Sequence, residues 1–215
     1  MNSRLKIDFV SDVSCPWCVI GLKALEEAVA RLGDQVTTEV HLQPFELNPH
    51  MPAEGQDIAE HMMQKYGSTL EQSKGTREAI RARGEDLGFR FQMEKLGRIY
   101  NTFNAHRLLR WAATEGRELA LQHALFAAYF TDGKNLGDPE VLVEAAATVG
   151  LDTVRAAEVL ASDAFAKEVR EQEKHYLDMG VQAVPSVIIN DRHLIQGGQP
   201  VETFERALRQ IAASA

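Results

Sequence analysis

The two cysteines of this chain, the only two among its 215 residues, lie in the stretch Ser14-Cys15-Pro16-Trp17-Cys18. Two thiols separated by two residues can form and break a disulfide with each other, which is the chemistry of thiol–disulfide exchange. The same spacing occurs in structural zinc sites, but such sites need about two further ligands. No two of the seven histidines are three or four residues apart. The spacing therefore predicts a redox-active pair, Cys15 and Cys18, and no metal site.

The sequence around the pair predicts that it lies where a strand turns into a helix. Apolar and polar residues alternate over residues 5–10, which is typical of a strand. Apolar residues then recur at helical spacing up to Gly33, namely Ile20, Leu22, Leu25, Ala28, Val29 and Leu32. A helix N-terminus carries partial positive charge and unpaired N–H groups, which favour a thiolate at Cys15. Cys18 lies one turn farther inside, so we expect Cys15 to attack a substrate and Cys18 to resolve the mixed disulfide.

Composition limits the classes of partner. Hydrophobic residues make up 45% of the chain, and the formal net charge is −8. This charge argues against nucleic acid and an anionic membrane surface, because both attract basic patches. No run approaches the roughly 18 apolar residues that span a bilayer, and the residues before the cysteines do not resemble a signal peptide. A redox pair without further structural cysteines is typical of a reducing compartment, so we expect a cytoplasmic protein. The sequence does not decide its oligomeric state.

Strand signals occur near both ends of the chain. Residues 36–42 alternate between apolar and polar after the first helix, which predicts a parallel βαβ unit. Residues 186–190 and 193–196 predict a hairpin with its turn at Asp191-Arg192, and a final helix begins at Pro200. The predicted order is therefore βαβ, then helices, then ββα.

Between the βαβ unit and the hairpin, the pattern predicts helices and no convincing strand. Ser68 is expected to open the second of these helices, and either Ser162 or Asp163 is expected to cap the last one. Ile99 and His106 are expected to share one apolar helical stripe. This region is thus predicted to be an all-helical insertion.

The dipeptide Val184-Pro185 stands directly before the first strand of the predicted hairpin. Proline has no N–H group to donate, so it is normally excluded from a central strand. A cis peptide bond is one solution, and it leaves the backbone of Val184 free to pair with an incoming extended chain. An ordinary trans proline at a strand start is the other solution. The residues alone leave both open.

These motifs together resemble the DsbA-like thioredoxin-fold oxidoreductases, and more narrowly their FrnE-type subgroup. The resemblance is carried by the cysteine stretch 14–18, Pro44-Phe45-Glu46-Leu47-Asn48-Pro49, the segment 101–108, the segment 180–186 and Gly197-Gly198-Gln199-Pro200. It implies an α/β thioredoxin fold (βαβ…ββα) that is interrupted by a large all-helical insertion domain. We expect residues 1–50 plus 180–215 to form the thioredoxin-like domain and residues 51–179 to form the insertion. It also implies a cis bond before Pro185.

The resemblance also implies a function and a set of site residues. It implies a thiol–disulfide oxidoreductase that acts through Cys15 and Cys18 on protein or small-molecule disulfides and dithiols. The expected substrate-binding residues are Pro16, Trp17, Val184 and Pro185. No resident cofactor is expected, and glutathione is a candidate co-substrate.

Two other functions stay open at this point. The subgroup is related to 2-hydroxychromene-2-carboxylate isomerases and kappa-class glutathione transferases, which use bound glutathione. Those relatives typically carry serine at the position of Cys15, so the pair of thiols departs from their pattern. The other alternative is a redox-sensitive binding protein with chaperone-like behaviour.

Three residues near these motifs allow two interpretations each. Asp12 is either a proton-transfer acid beneath the cysteines or, as we favour, a cap for the first helix. His106 is either a site residue or, as we favour, a hydrogen-bonded core histidine. Trp17 either offers an exposed aromatic face to a substrate or fills the gap between the two domains.

Overall fold

The computed structural model describes residues 4–214, apart from the side chain of Leu70. In chain order its elements are β1 (Arg4–Ser11), α1 (Pro16–Leu32), β2 (Thr37–Pro44), β3 (Gln56–Asp57), α2 (Ile58–Tyr66), α3 (Leu70–Asp86), β4 (Arg98–Ile99), α4 (Phe103–Thr114), α5 (Glu118–Phe126), α6 (Pro139–Thr148), α7 (Thr153–Ala161), α8 (Ala166–Asp178), β5 (Ser186–Ile189), β6 (His193–Gln196) and α9 (Val201–Ala213). A π-helical turn, Ala127–Thr131, follows α5 directly.

Four of the strands form a mixed sheet in the order β2-β1-β5-β6. The central strand β1 pairs in parallel with β2, from Arg4 opposite Thr37 to Ser11 opposite Pro44. On its other side β1 pairs antiparallel with β5, which forms a hairpin with β6. Helices α1 and α9 pack against each other. This arrangement confirms the predicted thioredoxin fold. The end of β1 leads directly into the cysteine stretch.

The region between β2 and β5 is almost entirely helical, but it contains one short pair of strands. β3 and β4 pair antiparallel, with Gln56 opposite Ile99 and Asp57 opposite Arg98. The prediction of an all-helical insertion is therefore wrong at these four residues, and Ile99 does not belong to the helical stripe of His106. A strand of two residues is too short to show alternation, so the sequence pattern could not reveal it.

Side-chain caps begin several helices between β2 and β5. Asp57 accepts hydrogen bonds from two backbone N–H groups of α2, and Asp152 does the same for α7. For α3 the cap is Thr69 rather than Ser68, because Thr69 and Gln72 form a reciprocal capping box.

Helix α8 begins differently from the prediction. Its first turn follows Phe165, which has a left-handed backbone with φ 60°, instead of Ser162 or Asp163. The hydroxyl of Ser162 is used elsewhere, because it donates to the carbonyl of Glu158 at the end of α7. The hydroxyl therefore closes the preceding helix and does not cap the next one.

The hairpin turn is also displaced by one residue from its predicted position. Its central residues are Asn190 and Asp191, with φ values of 52° and 54°, rather than Asp191 and Arg192. Two successive left-handed residues match the right-handed twist of the flanking strands. The Oδ1 atom of Asn190 also accepts a hydrogen bond from the N–H of Lys6, which ties the turn to β1.

One contiguous cluster of buried apolar residues runs through both the sheet and the helical region. It includes Phe9 of β1, Phe126 and Phe130 near α5, and Phe204 of α9, all of which are almost fully buried. The division into domains at residues 50 and 180 stays a prediction. Within residues 4–214, no helix has the length and apolar character that a membrane crossing requires.

Candidate active site

Cys15 lies at the N-cap of α1, at the point where β1 gives way to the helix. Its own backbone is extended, with φ −94° and ψ 113°, and Pro16 occupies the first helical turn. The N–H of Cys15 donates to the carbonyl of Asp12 at 3.1 Å, and the N–H of Cys18 donates to the carbonyl of Cys15 at 3.0 Å. As the N-cap residue Cys15 lies at the positive end of the helix, although its side chain makes no capping hydrogen bond.

Cys18 lies one turn deeper in α1 and is a free thiol, as is Cys15. Cys18 is fully buried, and Cys15 is only 4% exposed. Burial, together with the neighbouring sulfur of Cys15, raises the pKa of Cys18 well above its ordinary value. Cys18 is therefore hard to ionise without a group that takes its proton. The difference in exposure between the two sulfurs is smaller than the sequence led us to expect.

The segment before β5 brings Val184 and Pro185 to Cys15. The carbonyl oxygen of Val184 lies 3.8 Å from the Sγ atom of Cys15. The Val184–Pro185 peptide bond is cis. Pro185 packs on α1 at Gly21, where an added Cβ atom would lie 2.8 Å from the Cγ atom of Pro185. The structure thus gathers Cys15, Cys18, Val184 and Pro185 into one site.

Trp17 is half-buried between α1 and α3. The guanidinium of Arg83, on α3, lies over its ring at 5.9 Å from the ring centroid. The Nη2 atom of Arg83 also donates to the carbonyl of Gly198 at 2.9 Å, and Gly198 lies against Trp17. Trp17 therefore fills the space between the sheet region and the helical region, which favours the second of its two interpretations. Pro16, beside it, is partly exposed.

Asp12 does not cap α1, because Cys15 occupies the N-cap. The Oδ1 atom of Asp12 accepts a hydrogen bond from the N–H of Ser14 at 3.0 Å. Its Oδ2 atom accepts one from the N–H of Leu47 at 2.7 Å. The capping interpretation is therefore wrong. Asp12, which is fully buried, instead fastens the cysteine loop to the loop that follows β2.

His106 is 3% exposed, and its Nε2 atom lies 3.8 Å from the Oδ1 atom of Asp12. This distance is too long for a hydrogen bond, and within the described residues Nε2 has no hydrogen-bond partner. The prediction of a hydrogen-bonded core histidine is thus wrong for this nitrogen. The Asp12 carboxylate and the His106 ring therefore interact electrostatically rather than through a hydrogen bond of normal length.

The charged forms of this pair support each other. Burial favours the neutral form of Asp12, but His106 and the N–H groups of Leu47 and Ser14 outweigh it and lower its pKa. Burial likewise favours neutral His106, but Asp12, followed by Glu173 and Glu46, raises its pKa. Each partner therefore favours the charged form of the other.

A second charged cluster adjoins this pair, and sequence reasoning missed it. Arg170 of α8 forms ion pairs with Glu46, and with Glu173 at 2.8 Å. Its guanidinium also lies 3.8 Å from the ring centroid of Phe103. Burial, reinforced by Glu173, raises the pKa of Glu46. Glu46 lies in a stretch that the resemblance highlighted, but nothing in the sequence pairs it with Arg170, 124 residues away.

Helix α2 carries two exposed side chains, and one of them, Tyr66, interacts electrostatically with Cys15 and Asp12. Tyr66 is 55% exposed and Met63 is 61% exposed. Burial, followed by the charges at Cys15 and Asp12, raises the pKa of Tyr66, so its phenol is within electrostatic reach of the site. Among residues 4–214, no group of three or more His, Cys, Asp and Glu side chains could hold a metal ion.

Residues 6–209 match the DSBA-like thioredoxin domain family. The crystal structure of a probable DsbA oxidoreductase from Streptomyces coelicolor is 32% identical, with a TM-score of 0.91 over 98% of this chain and 90% of that one. An uncharacterized protein of Bacillus subtilis, YwbO, is 28% identical over 97% of this chain and 96% of its own length.

A more distant structure shares the fold. The structure of 2-hydroxychromene-2-carboxylate isomerase superposes with a TM-score of 0.70 at 15% identity, over 98% of this chain and 99% of that one. The family match, over residues 6–209, covers nearly the whole chain. The chain belongs to the DSBA-like thioredoxin domain family.

Proposed function

We propose that this chain is a thiol–disulfide oxidoreductase in which Cys15 attacks and Cys18 resolves. The observation that carries the proposal is the position of the two thiols on α1. Cys15 lies at the N-cap, where partial positive charge favours a thiolate. Cys18 lies one turn deeper, fully buried and with a raised pKa. This contrast assigns different tasks to two identical side chains.

The exchange runs in two balanced steps. The Cys15 thiolate attacks one sulfur of a substrate disulfide, forms a mixed disulfide and releases the first substrate thiolate. Cys18 then loses its proton and attacks the Sγ atom of Cys15. The Cys15–Cys18 disulfide forms, and the second substrate thiolate leaves. The substrate gains two electrons and the protein loses them, and the reverse sequence oxidises a substrate dithiol.

The backbone beside Pro185 supports binding of an extended substrate. The Val184 carbonyl lies 3.8 Å from the Cys15 sulfur, and an extended chain that pairs with the backbone here would present its own sulfur to Cys15. Pro16 and Trp17, which are partly exposed, would border that chain. Residues Pro16, Trp17, Val184 and Pro185 are accordingly our proposed substrate-binding set.

Glutathione fits the same proposal as a co-substrate. It is a short, extended thiol peptide, so it could pair with the Val184 backbone and regenerate either redox state of the cysteines. A cytoplasmic location accords with the absence of any cysteine beyond the pair. Protein disulfides and small disulfides are both candidate substrates.

The test is reduction of insulin disulfides by dithiothreitol in the presence of the protein, followed by turbidity. The wild type should accelerate precipitation, and Cys15→Ser should not. A parallel titration with reduced and oxidised glutathione should show a Cys15–Cys18 disulfide that forms and disappears. If the wild type shows no acceleration but binds glutathione tightly, and Cys18→Ser changes neither result, the isomerase or transferase function replaces this proposal.

A further inference from the structure

An open cleft of about 510 Å³ lies between strands β1 and β2 and helices α4 and α8. Its volume falls in the range of roughly 300–1,000 Å³ that is typical of small-molecule sites. A narrow chamber continues from the cleft to α5, and Gln43, Arg110 and Gln172 line both spaces. None of the residues that line the cleft belongs to the proposed substrate-binding set, so the cleft needs an explanation of its own.

Gln122 of α5 lines the chamber and has no hydrogen bond to satisfy its side chain. It is 1% exposed. Within residues 4–214 neither its Oε1 atom nor its Nε2 atom has a hydrogen-bond partner. Proteins leave few buried polar atoms without a partner. A buried amide with both polar atoms free, in the wall of a cavity, therefore indicates a polar ligand.

Gln43 and Gln172 supply hydrogen-bond acceptors where the cleft meets the chamber. Their Oε1 atoms are buried and have no partner among the described residues. The orientation of Gln43 is fixed, because its Nε2 atom donates to the Oδ1 atom of Asp8 at 2.8 Å. Its free atom is therefore an oxygen, which only accepts hydrogen bonds. This end of the cleft suits a ligand group that donates, such as an ammonium.

Arg110 supplies a free cation beside these acceptors. It is half-buried, and in the part of the chain that the structure describes its guanidinium forms no hydrogen bond and no ion pair. A guanidinium presents its donors in a planar fork that matches a carboxylate. The other cation nearby, Lys6, is already held by Asp8 and Asp191. Arg110 is thus the cation that remains for an acidic ligand.

The chamber has room for the small end of such a ligand. About 20 Å³ is open to the centre of a water-sized sphere, and one water molecule needs roughly 10–15 Å³ of such space. One or two oxygen atoms therefore fit beside the Nε2 atom of Gln122. Glu118 also lines the chamber, but burial raises its pKa, which favours its neutral form and reduces repulsion of a carboxylate.

We propose that the cleft binds a free α-amino acid. Its carboxylate accepts hydrogen bonds from Arg110 and from the Nε2 atom of Gln122. Its ammonium donates to the Oε1 atoms of Gln43 and Gln172. An α-amino acid carries these two groups on one carbon atom, and the rest of the cleft accommodates its side chain. The site uses neither cysteine, so this inference goes beyond the proposed function and does not depend on it.

The test is isothermal titration calorimetry of the wild type with each of the standard L-amino acids in turn. At least one should bind with a dissociation constant below about 1 mM. The N-acetyl derivative of that amino acid lacks the ammonium, and its primary amide lacks the carboxylate. Each derivative should bind about tenfold more weakly or worse, because hydrogen bonds to charged groups are the strong ones. Equal binding of either derivative overturns the proposal.

Arg110→Met removes the charge and keeps most of the side-chain volume, so it should weaken binding by about tenfold or more. Arg206→Met is the matched control, because Arg206 lies on the exposed part of α9 and does not line the cleft. Gln122→Leu should weaken binding as well. If this buried substitution prevents folding, the half-exposed Arg110 still tests the site. Binding that survives Arg110→Met overturns the proposal.

The position of the ligand is measured by NMR. The side-chain N–H signals of Gln122 should shift on saturation with the amino acid, whereas those of the exposed Gln210 should not. A chamber that holds only water, or binding of none of the amino acids, overturns the proposal. Cys15→Ser should bind the ligand as the wild type does, and loss of binding in this variant would place the ligand at the cysteines instead. An inactive protein in the insulin assay leaves this inference intact, so the two proposals fail separately.

Discussion

The Sγ atom of Cys15 and the carbonyl oxygen of Val184 lie 3.8 Å apart, although 169 residues separate them in the chain. One comes from the β1–α1 junction and the other from the segment before β5. Because β1 and β5 are paired neighbours in the sheet, the two segments meet at the same edge. The site is therefore assembled by the sheet, and changes that disturb the contact between α1 and Pro185 should affect both stability and exchange.

The first prediction tests that contact through Gly21. A Cβ atom at this position would lie 2.8 Å from Cγ and 3.4 Å from Cβ of Pro185, so Gly21→Ala must push Pro185 away from α1. We expect a loss of about 1–3 kcal/mol in the free energy of unfolding and slower attack by Cys15. Urea denaturation measures the loss of stability, and the rate at which Cys15 reacts with the coloured disulfide 5,5′-dithiobis(2-nitrobenzoate) measures the slower attack.

Gly75 provides the control for this substitution. It lies inside α3, and a Cβ atom there would meet nothing within 4 Å. Gly75→Ala should therefore stabilise the protein by about 0.5–1 kcal/mol, since alanine loses less conformational freedom in a helix. Equal stability of Gly21→Ala and the wild type would mean that Pro185 does not depend on this close approach.

The second prediction concerns the tasks of the two thiols. Cys18→Ser should accumulate mixed disulfides with a protein substrate, because Cys15 can still attack but nothing resolves the product. Cys15→Ser should accumulate none. Non-reducing gel electrophoresis after mixing with a disulfide-containing protein gives the answer. Trapping by Cys15→Ser rather than by Cys18→Ser would reverse the assignment.

The third prediction concerns pH and the Asp12–His106 pair. The pKa of folded His106 is raised, so its stabilising effect is complete below the unfolded value of about 6.5 and is lost as pH rises through the folded pKa. The pKa of Asp12 is lowered, so its contribution is present above about 3.9 and is lost as pH falls through its folded pKa.

Comparison of wild type with His106→Gln by urea denaturation measures this effect. The difference in unfolding free energy should shrink as pH rises above about 6.5 and through the raised folded pKa of His106, as the imidazolium loses its proton. In an Asp12→Asn background the pH dependence should weaken but not vanish, because Glu46 and Glu173 also contribute to the charge on His106. A difference that grows with pH would show that the neutral imidazole is the stabilising form.

The fourth prediction concerns the contact between α3 and the active-site helix. Arg83 donates to the carbonyl of Gly198 and lies over the ring of Trp17. Arg83→Ala should cost about 0.5–1.5 kcal/mol of stability and change the fluorescence emission of Trp17. Arg81, on the same helix, makes within residues 4–214 only an exposed ion pair with Glu85 at 3.8 Å. Arg81→Ala should change stability by less than about 0.5 kcal/mol, and equal effects of the two substitutions would contradict the prediction.

Local sequence features explain which parts of the fold were predictable. Residues close together in the chain determine the spacing of the cysteines, the apolar face of α1 and the alternation in β1 and β2. The predicted thioredoxin fold is confirmed. The partners of Asp12 and Glu46 were not predictable. Asp12 bonds to Leu47, 35 residues away, and Glu46 pairs with Arg170. Such contacts depend on how whole helices, strands and loops pack together, and the spacing of apolar residues along the chain does not reveal them.

His106 illustrates the same limit within a correctly predicted helix. Its place on an apolar stripe of α4 correctly indicated a buried side chain. The stripe could not reveal that Asp12 would lie beyond it, or that Nε2 would lack a hydrogen bond among the described residues. Periodicity gives the face of a helix, whereas the chemistry of a residue on that face is decided by the element packed against it.

The two hydrogen bonds of Asp12 also limit how this protein can be redesigned. One oxygen holds Ser14 and the other holds Leu47, so an insertion in either loop would leave a buried amide or a buried carboxylate oxygen without its partner. Loop grafting is therefore a poor route to a new substrate range. The exposed side chains of Met63 and Tyr66 on α2 carry no such constraint, and a library confined to that surface would vary recognition while the spacing of the cysteine loop stays fixed.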